Sequence, residues 1–238
     1  MGKDAFNFKQ FSIQQDRCSM KVGTDSVLLG AWTEVNNEKN TLDIGSGTGI
    51  LCLMMAQRLE GKITGVELDK DAYEQSIENV KNSPWENRIS IFPYAFQFFV
   101  AKNSEKFDLI ICNPPYFKNS LLPEEDQRKM ARHTIELSFS DLANGVSQCL
   151  HPNGKFNIIL PTTEALEFRE ICKTNNLFLT RICKVFTNQN QLKEKRHLMQ
   201  FEFLNKEIKA EILTIEKNDR HQYTKEYQNL TKDFYLKF

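Results

Sequence analysis

The sequence lacks an excess of either charge: its 238 residues include 31 basic and 31 acidic side chains, and the formal net charge is zero. This balance excludes proteins that coat nucleic acid through bulk positive charge, although a local basic patch could still contact RNA. The sequence also lacks any run approaching the roughly 18 consecutive apolar residues of a membrane-spanning helix, and its first residues contain no apolar core of a signal peptide. We therefore expect a protein that neither spans a membrane nor is secreted.

Cysteine patterns typical of metal sites or disulfide scaffolds are also absent. The six cysteines form no Cys-x-x-Cys pair and no metal-like cluster with the four histidines, although structural zinc sites and disulfide scaffolds need such spacings. Several of the cysteines lie within apolar segments, which is typical of buried thiols in a reducing compartment. We therefore predict reduced core thiols, no metal site and a cytoplasmic location.

What the sequence does contain is a regular alternation of short apolar segments with helix-forming stretches. The predicted strands lie at 41–45, 62–67, 88–93, 107–112 and 154–160. The predicted helices between them lie at 49–59, 71–81 and 139–150. Such alternation is typical of right-handed crossover connections and indicates a mostly parallel sheet.

The order of elements changes after residue 160. A helix near 163–173 is followed by two strands, 177–186 and 197–203, and the polar loop between them favours an antiparallel hairpin at the sheet edge. The sequence therefore predicts an α/β, Rossmann-like fold with a seven-stranded, mostly parallel sheet, an antiparallel edge hairpin and helices on both faces. No internal repeat or long linker divides the chain, so we expect one domain over residues 1–238.

A glycine-rich segment, DIGSGTGIL at 43–51, follows the first predicted strand and opens a helix. Gly45, Gly47 and Gly49 would let the backbone turn tightly and approach a ligand, while the helix amino terminus favours negative charge. The spacing is GxGxG rather than the GxGxxG of dinucleotide-binding folds, and no GK[ST] follows to hold a triphosphate. The next strand ends at Glu67, where a carboxylate can accept hydrogen bonds from ribose hydroxyls. For the glycines alone, the alternative is a structural turn. An NAD oxidoreductase is an alternative only if the GxGxG pattern has been misread.

A second unusual segment, DLIICNPPYF at 108–117, joins a continuous apolar run to two prolines. The apolar residues indicate a strand buried on both faces, and the prolines must end it, because neither has an N–H to donate and each fixes its φ angle. Asn113 and Tyr116 are thus presented at the carboxyl end of a buried strand, where open α/β sheets bind ligands. The alternative is a strand terminator followed by a packing tyrosine.

These elements together resemble the class I S-adenosylmethionine-dependent methyltransferases, and NPPY resembles the subset that methylates planar exocyclic or amide nitrogens. The resemblance implies that Asn113 and the carbonyl of Pro114 accept hydrogen bonds from the target NH₂ group, and that Tyr116 stacks on the flat substrate. It also implies a set of residues that bind S-adenosylmethionine. These are Asp43, Gly45, Gly47, Gly49, Glu67, Leu68 and Asn113.

One residue that the resemblance leads us to expect is missing. Many related enzymes carry an acidic residue after the third strand, where it meets the adenine of the cofactor, but this chain has PYAFQFF there. We therefore expect Phe96 to stack on the adenine, with core packing as its alternative. Phe98 and Phe99 are predicted to lie in the core.

Segments outside the common fold resemble one particular group of these methyltransferases. FKQFSIQQDRCSMKVGTDSVLLGAW at 8–32, KMARHT at 129–134 and YTKEYQNLTKDFYL at 223–236 resemble the bacterial tRNA1(Val) adenine-N(6) methyltransferases, which modify the adenine next to the anticodon. The release-factor glutamine methyltransferases usually carry a helical domain before the glycine-rich segment, and DNA adenine methyltransferases usually carry a large recognition domain. We expect residues 1–40 to form an arm that covers the cofactor and residues 204–238 to form a carboxyl-terminal extension.

The resemblance adds further candidate residues around the site. Lys21, Thr24 and Asp25 of KVGTD would lie near the amino-acid end of the cofactor, although Thr24 or Asp25 could simply cap a helix. The candidates for substrate binding are Tyr116, Phe117, Arg132, His133, Lys193, Lys195 and Arg196. For the charged members of this set, the alternative is a solvated helix or loop position.

The resemblance implies an enzyme that transfers a methyl group from S-adenosylmethionine to the 6-amino group of adenine at position 37 of tRNA1(Val), with the anticodon stem-loop as partner. An unpaired loop base costs least to extrude into a pocket. The alternatives are methylation of a ribosomal RNA guanine or a protein glutamine, and a non-catalytic module that binds S-adenosylmethionine or RNA. The proposed chemistry requires no metal.

Overall fold

The computed structural model describes residues 5–18, 20–114 and 137–238. It confirms the predicted α/β class, because an eight-stranded sheet lies between two layers of helices. The strands are β1 (Ala5–Asn7), β2 (Ser12–Gln14), β3 (Asn40–Ile44), β4 (Lys62–Val66), β5 (Ile89–Phe92), β6 (Phe107–Cys112), β7 (Leu150–Pro161), β8 (Phe178–Asn188), β9 (Arg196–Glu202) and β10 (Lys209–Glu216). The described helices are α1 (Thr24–Trp32), α2 (Ile50–Arg58), α3 (Lys70–Lys81), α4 (Phe96–Lys102), α5 (Phe139–Cys149), α6 (Thr162–Thr174) and α7 (Lys225–Thr231).

The strands of the large sheet lie in the order β10-β8-β9-β7-β6-β3-β4-β5. Within this sheet β9 pairs antiparallel with both of its neighbours, and every other pairing is parallel. All strands of this eight-stranded sheet except β9 therefore end at the same side of it, which we call the carboxyl edge. The loops that follow these strands meet at this edge, where open α/β sheets bind their ligands.

Two details of the predicted sheet are wrong. An eighth strand, β10, extends the sheet, and β9 lies between β7 and β8, so the β8–β9 hairpin is not at the edge. The sequence of β10 gives little indication of a buried strand. Only Leu213 of this strand is buried, and its neighbour Ile212 is 72% exposed, so the apolar residues do not mark one buried face. The predicted helices 49–59, 71–81, 139–150 and 163–173 are confirmed to within one residue as α2, α3, α5 and α6.

The central strand β6 shows why its apolar run is continuous. Leu109 and Ile111 face the core that contains residues of α1, α2 and α3, whereas Ile110 and Cys112 face the core that contains residues of α4, α5 and α6. A strand covered on both faces needs no polar alternation. All six cysteines of the chain are buried free thiols, as predicted.

The amino-terminal arm is fixed to the rest of the protein by apolar and polar contacts. Phe11 and Ile13 are buried. Asn79 of α3 joins the arm to the glycine-rich loop: its Oδ1 accepts from the N–H of Gln14 at 2.8 Å, and its Nδ2 donates to the carbonyls of Gln14 and Thr48, both at 2.9 Å. This buried amide therefore fixes the arm and the loop after β3 relative to each other.

The outer strand β10 is held by Arg181 of β8. The guanidinium donates from Nε to Glu211 Oε1 at 3.0 Å and from Nη2 to Oε2 at 2.9 Å, and it stacks over Trp32 at 4.1 Å from the ring centroid. The indole N–H of Trp32 also donates to Glu211 at 2.8 Å. Burial alone would raise the pKa of Glu211, but the hydrogen bonds from Arg181 and Trp32 hold it below its usual value. The cluster therefore joins α1, β8 and β10.

Replacing Arg181 tests this attachment. We expect Arg181→Ala to lower the free energy of unfolding by about 2–4 kcal/mol, because Glu211 is left half-buried without its main cation. Lys209→Ala is the matched control, since Lys209 also contacts Glu211 at 3.2 Å but its side chain is 64% exposed, which predicts a change within about 0.5 kcal/mol. Denaturant unfolding followed by circular dichroism measures both. Equal losses in the two variants would show that Arg181 does not hold β10.

Candidate active site

The glycine-rich loop between β3 and α2 leaves an open cradle at the carboxyl edge. Gly45, Gly47 and Gly49 have positive φ angles of 71°, 54° and 82°, which residues with side chains adopt only with strain. A Cβ atom on Gly45 or Gly47 would meet nothing within 4 Å, whereas one on Gly49 would lie 3.3 Å from Cβ of Ser76. The first two glycines therefore border open space for a ligand, and the third allows close packing of α2 on α3.

Glu67 directly follows β4 and is tied to this loop. Its Oε2 accepts from the N–H of Gly47 at 2.7 Å, and its Oε1 accepts from the N–H of Asp69 at 2.8 Å. Burial raises the pKa of Glu67, and these two hydrogen bonds oppose the rise. The side chain is half-buried. A carboxylate is thus fixed beside the two glycines that border the open space.

Asp43 lies beneath the loop. It has no exposed area, its Oδ2 accepts from the thiol of Cys52 at 3.3 Å, and burial raises its pKa to about 7. Among the described residues, neither Asp43 Oδ1 nor Ser46 Oγ finds a hydrogen-bond partner. Because buried polar atoms without partners are costly, these two atoms favour a polar ligand or a water at the loop.

Asn113 follows β6, the neighbour of β3, and its amide has a partner that the sequence did not indicate. Nδ2 donates to Oγ of Ser26, in the first turn of α1, at 2.8 Å. This bond orients the amide so that Nδ2 faces α1 and Oδ1 points away from that hydroxyl. Pro114 is buried. Ser26 directly follows the KVGTD segment, but no local pattern connects it with a residue 87 positions later.

The residues around the start of α1 have different environments. Lys21 and Thr24 are exposed, whereas Asp25 accepts from Nε of Arg196 at 2.8 Å. The residue that precedes α1 is Gly23, and no side chain caps the helix. The interpretation of Thr24 or Asp25 as a helix cap is therefore wrong. Arg196 was expected to face substrate, and the structure pairs it with α1 at the carboxyl edge.

The predicted role of Phe96 in adenine stacking is contradicted by its burial. Its ring is 4% exposed and packs against α5 at Gly145, where a Cβ atom would lie only 2.5 Å from the ring. Phe99 is 8% exposed, which confirms its prediction as a core residue. Phe98 is 49% exposed, so its prediction as a core residue is wrong.

Exposed apolar side chains lie instead just after β4 and from the last residue of β5 onward, at the carboxyl edge. Leu68, Phe92, Tyr94 and Phe98 are 42%, 38%, 41% and 49% exposed. The rings of Phe92 and Tyr94 are nearly parallel, and the carbonyl of Phe92 accepts from the N–H of Glu67 at 3.0 Å. The parallel rings of Phe92 and Tyr94 thus offer an apolar surface close to Glu67, and the ring of Phe98 is tilted by 56° against that of Tyr94. Leu68 was predicted, and the concentration of aromatic residues in FPYAFQFF was the available signal for the others.

Two of the predicted substrate contacts lie at the same edge of the sheet as the glycine-rich loop. Lys193 and Lys195 are exposed in the loop between β8 and β9, at the carboxyl edge. The candidates that lie outside the described residues are Tyr116, Phe117, Arg132 and His133.

Within the described ranges, no cluster of three or more His, Cys, Asp or Glu side chains could hold a metal ion. No helix in those ranges combines the length and the apolar composition needed to cross a membrane.

The architecture matches solved methyltransferase structures. A predicted O-methyltransferase from Agrobacterium tumefaciens superposes with a TM-score of 0.70 at 17% identity, covering 88% of this chain and 96% of that one. A precorrin-6y C5,15-methyltransferase from Geobacter metallireducens gives a TM-score of 0.54 at 12% identity, covering 80% and 92%. The chain therefore has the methyltransferase fold.

Sequence comparison gives the family. Residues 18–197 match the family model of the methyltransferase small domain. Proteins named tRNA1(Val) (adenine(37)-N6)-methyltransferase from Bacteroides fragilis and Christiangramia forsetii are each 42% identical over 100% of both chains. The protein of that name from Phocaeicola vulgatus is 44% identical over 97% of each chain. The chain belongs to the methyltransferase small domain family, within the group of the tRNA1(Val) (adenine(37)-N6)-methyltransferases.

Ser26 provides a test of how the amide of Asn113 is held. We expect Ser26→Ala to lower the methyl-transfer rate at saturating substrates by roughly tenfold, because the amide loses the bond that orients it. KM values should change by less than twofold, and Ser26→Thr should restore most of the rate, since it retains the hydroxyl. Rapid-quench kinetics measures the rate, and thermal unfolding checks that both variants fold. An unchanged rate in Ser26→Ala would show that this bond has no part in the reaction.

Proposed function

We propose that this enzyme transfers a methyl group from S-adenosylmethionine to the 6-amino group of adenine at position 37 of tRNA1(Val). The observation that carries the chemistry is the position of Asn113: it follows β6 at the carboxyl edge, and the open glycine-rich loop follows the adjacent strand β3. The observation that carries the substrate is the full-length similarity to proteins named for this tRNA reaction.

The residues at the loop fit S-adenosylmethionine. The open space at Gly45 and Gly47 would admit the ligand close to the backbone, and the half-buried carboxylate of Glu67 would accept from the ribose hydroxyls. Leu68 and the exposed rings of Phe92 and Tyr94 offer an apolar surface for the adenine. S-adenosylmethionine supplies a methyl group carried on a positively charged sulfur.

Asn113 and Pro114 would act on the amine that receives the methyl group. The lone pair of an aromatic amine is delocalised into its ring, so the amine is a weak nucleophile. Asn113 Oδ1 and the carbonyl of Pro114 would accept hydrogen bonds from the two N–H groups and favour the pyramidal nitrogen of the transition state. Ser26 would keep Oδ1 oriented by holding Nδ2. Tyr116 is proposed to stack on the target base.

An adenine in the anticodon loop suits this site because an unpaired base is the least costly to extrude. Lys193 and Lys195 at the carboxyl edge would contact phosphates, as would Arg132 and His133, while Phe117 would contact the base. We further propose one domain over residues 1–238, in which residues 1–40 cover the cofactor and residues 204–238 form an extension. A cytoplasmic location is consistent with six reduced thiols and a tRNA substrate.

Glu67 tests the cofactor assignment. We expect Glu67→Ala to weaken S-adenosylhomocysteine binding by about tenfold or more, because the ribose loses a charged acceptor. Affinity for tRNA should change by less than twofold. Glu60→Ala is the matched control: it also removes one carboxylate, but it lies just before β4, at the opposite end of the same strand. Isothermal titration calorimetry measures cofactor binding, and equal affinity in all three proteins would contradict the assignment.

The substrate is tested with radiolabelled S-adenosylmethionine and bulk tRNA from cells that lack this enzyme. We expect labelled tRNA, with 6-methyladenosine as the labelled nucleoside after digestion and chromatography. Asn113→Ala should still bind the cofactor but label tRNA about 10²–10³ times more slowly. Label chiefly in ribosomal RNA guanine or in a release factor would overturn the tRNA substrate, and full activity of Asn113→Ala would overturn the role of the amide.

A further inference from the structure

A groove of about 1080 Å³ lies between α1, the β8–β9 hairpin and the carboxyl-terminal segment. Its walls include Asp25, Lys195, Arg196, Arg220 and Lys237. We call it the C-terminal groove. The loop after β8 and the turn after β10 both lie at the carboxyl edge, so the groove opens on the same edge as the glycine-rich loop and Asn113.

The C-terminal groove concentrates positive charge in a chain whose net charge is zero. Among the side chains that line it, four are cationic and two are anionic, so their charges sum to +2. Asp25 is paired with Arg196, and the other carboxylate, Glu216, accepts from the backbone N–H of His221 at 2.8 Å. The remaining three cations of the lining are Lys195, Arg220 and Lys237, and none of them forms an ion pair with another described residue.

The carboxyl-terminal wall of the groove is held by packing. The ring of Phe238 lies 5.2 Å from that of Tyr223 and 5.5 Å from that of Tyr235, and Tyr227 is 3% exposed. Lys9 of the amino-terminal arm donates to the main-chain oxygen of Phe238 at 2.7 Å. The neighbouring cation Lys237 is thus carried on an anchored segment.

The C-terminal groove is joined to Asn113 through two consecutive residues of α1. Asp25 contacts Arg196 in the groove wall at 2.8 Å, and the next residue, Ser26, contacts Asn113 at 2.8 Å. Consecutive Cα atoms lie about 3.8 Å apart. A polymer that presents one unit to Asn113 would therefore pass its neighbouring units close to the groove.

We propose that the C-terminal groove binds the sugar-phosphate backbone of the substrate RNA next to the methylated base, with Lys195, Arg220 and Lys237 on its phosphates. This inference rests on the proposed RNA substrate. These unpaired cations, of which Lys237 lies on the anchored segment, complement an anionic polymer, since each phosphate that a cation neutralises releases a bound counterion. The groove is therefore a second contact that holds the RNA while its base occupies the site at Asn113.

The test uses the full-length protein and the double variant Arg220→Gln with Lys237→Gln. Fluorescence anisotropy with a labelled tRNA transcript measures Kd over a salt series. We expect Kd to rise about tenfold and the slope of log Kd against log salt to fall by roughly 1–2, the value for one or two lost phosphate contacts. S-adenosylhomocysteine affinity should stay within twofold, and the loss of methylation should appear mainly in the KM for tRNA.

The matched control is Lys39→Gln with Lys62→Gln. It removes the same charge, but these exposed lysines lie at the opposite edge of the sheet, Lys39 just before β3 and Lys62 at the first position of β4. We expect its tRNA Kd to stay within threefold of the original protein. Arg220→Lys with Lys237→Arg should retain binding, because both charges remain.

Two outcomes would overturn the inference: a change of less than threefold in Kd for the groove variant, or an equal loss in the control, which would indicate general electrostatics. Neither affects the proposed function if the unmodified protein still methylates tRNA. Conversely, if the unmodified protein binds and methylates no tRNA, the proposed function fails first and the groove inference fails with it.

Discussion

The parallel alignment of the strands is the constraint on which the candidate site depends. Because β3, β4, β5 and β6 run in one direction, the segments that follow them meet at the carboxyl edge. The glycine-rich loop, Glu67 and Asn113 are far apart in the sequence, yet each directly follows one of these strands. Parallel strands need crossover connections, and the helices in those connections build the two apolar cores that fix the strand ends. Packing on both faces of the sheet thus determines the spacing of polar groups at its edge.

The first turn of α1 contacts two parts of this edge, Asn113 after β6 and Arg196 at the start of β9. Asp25 contacts Arg196 of β9, and Ser26 contacts the amide of Asn113. The other end of the same helix contributes Trp32, which stacks with Arg181 and donates to Glu211 of β10. A single helix outside the sheet therefore joins the amide at β6, the hairpin and the outermost strand, so a change in its position would affect all three.

Charge acts locally in this molecule. The chain has no net charge. Outside the C-terminal groove, most of the ion pairs lie at exposed or half-buried positions, where each pair contributes little to stability. At the groove, by contrast, three cations have no anionic partner among the described residues. The proposed recognition of RNA through so few contacts would give a modest salt dependence and leave the shape of the RNA to supply the remaining selectivity.

The sequence by itself determined the alternation of strands and helices, the glycine-rich loop at Gly45, Gly47 and Gly49, and the end of β6 just before Asn113. These features follow from local stereochemistry: the period of apolar residues, the φ angles open to glycine and the missing donor of proline.

Only the tertiary structure decided that Phe96 is buried, that β10 joins the sheet, and that Asn113 and Arg196 are held by Ser26 and Asp25. The reason is physical. Each of these outcomes depends on contacts between segments far apart along the chain, whose energies no local pattern records. Residues separated by 87 and 171 positions become hydrogen-bond partners only after the sheet and α1 have packed.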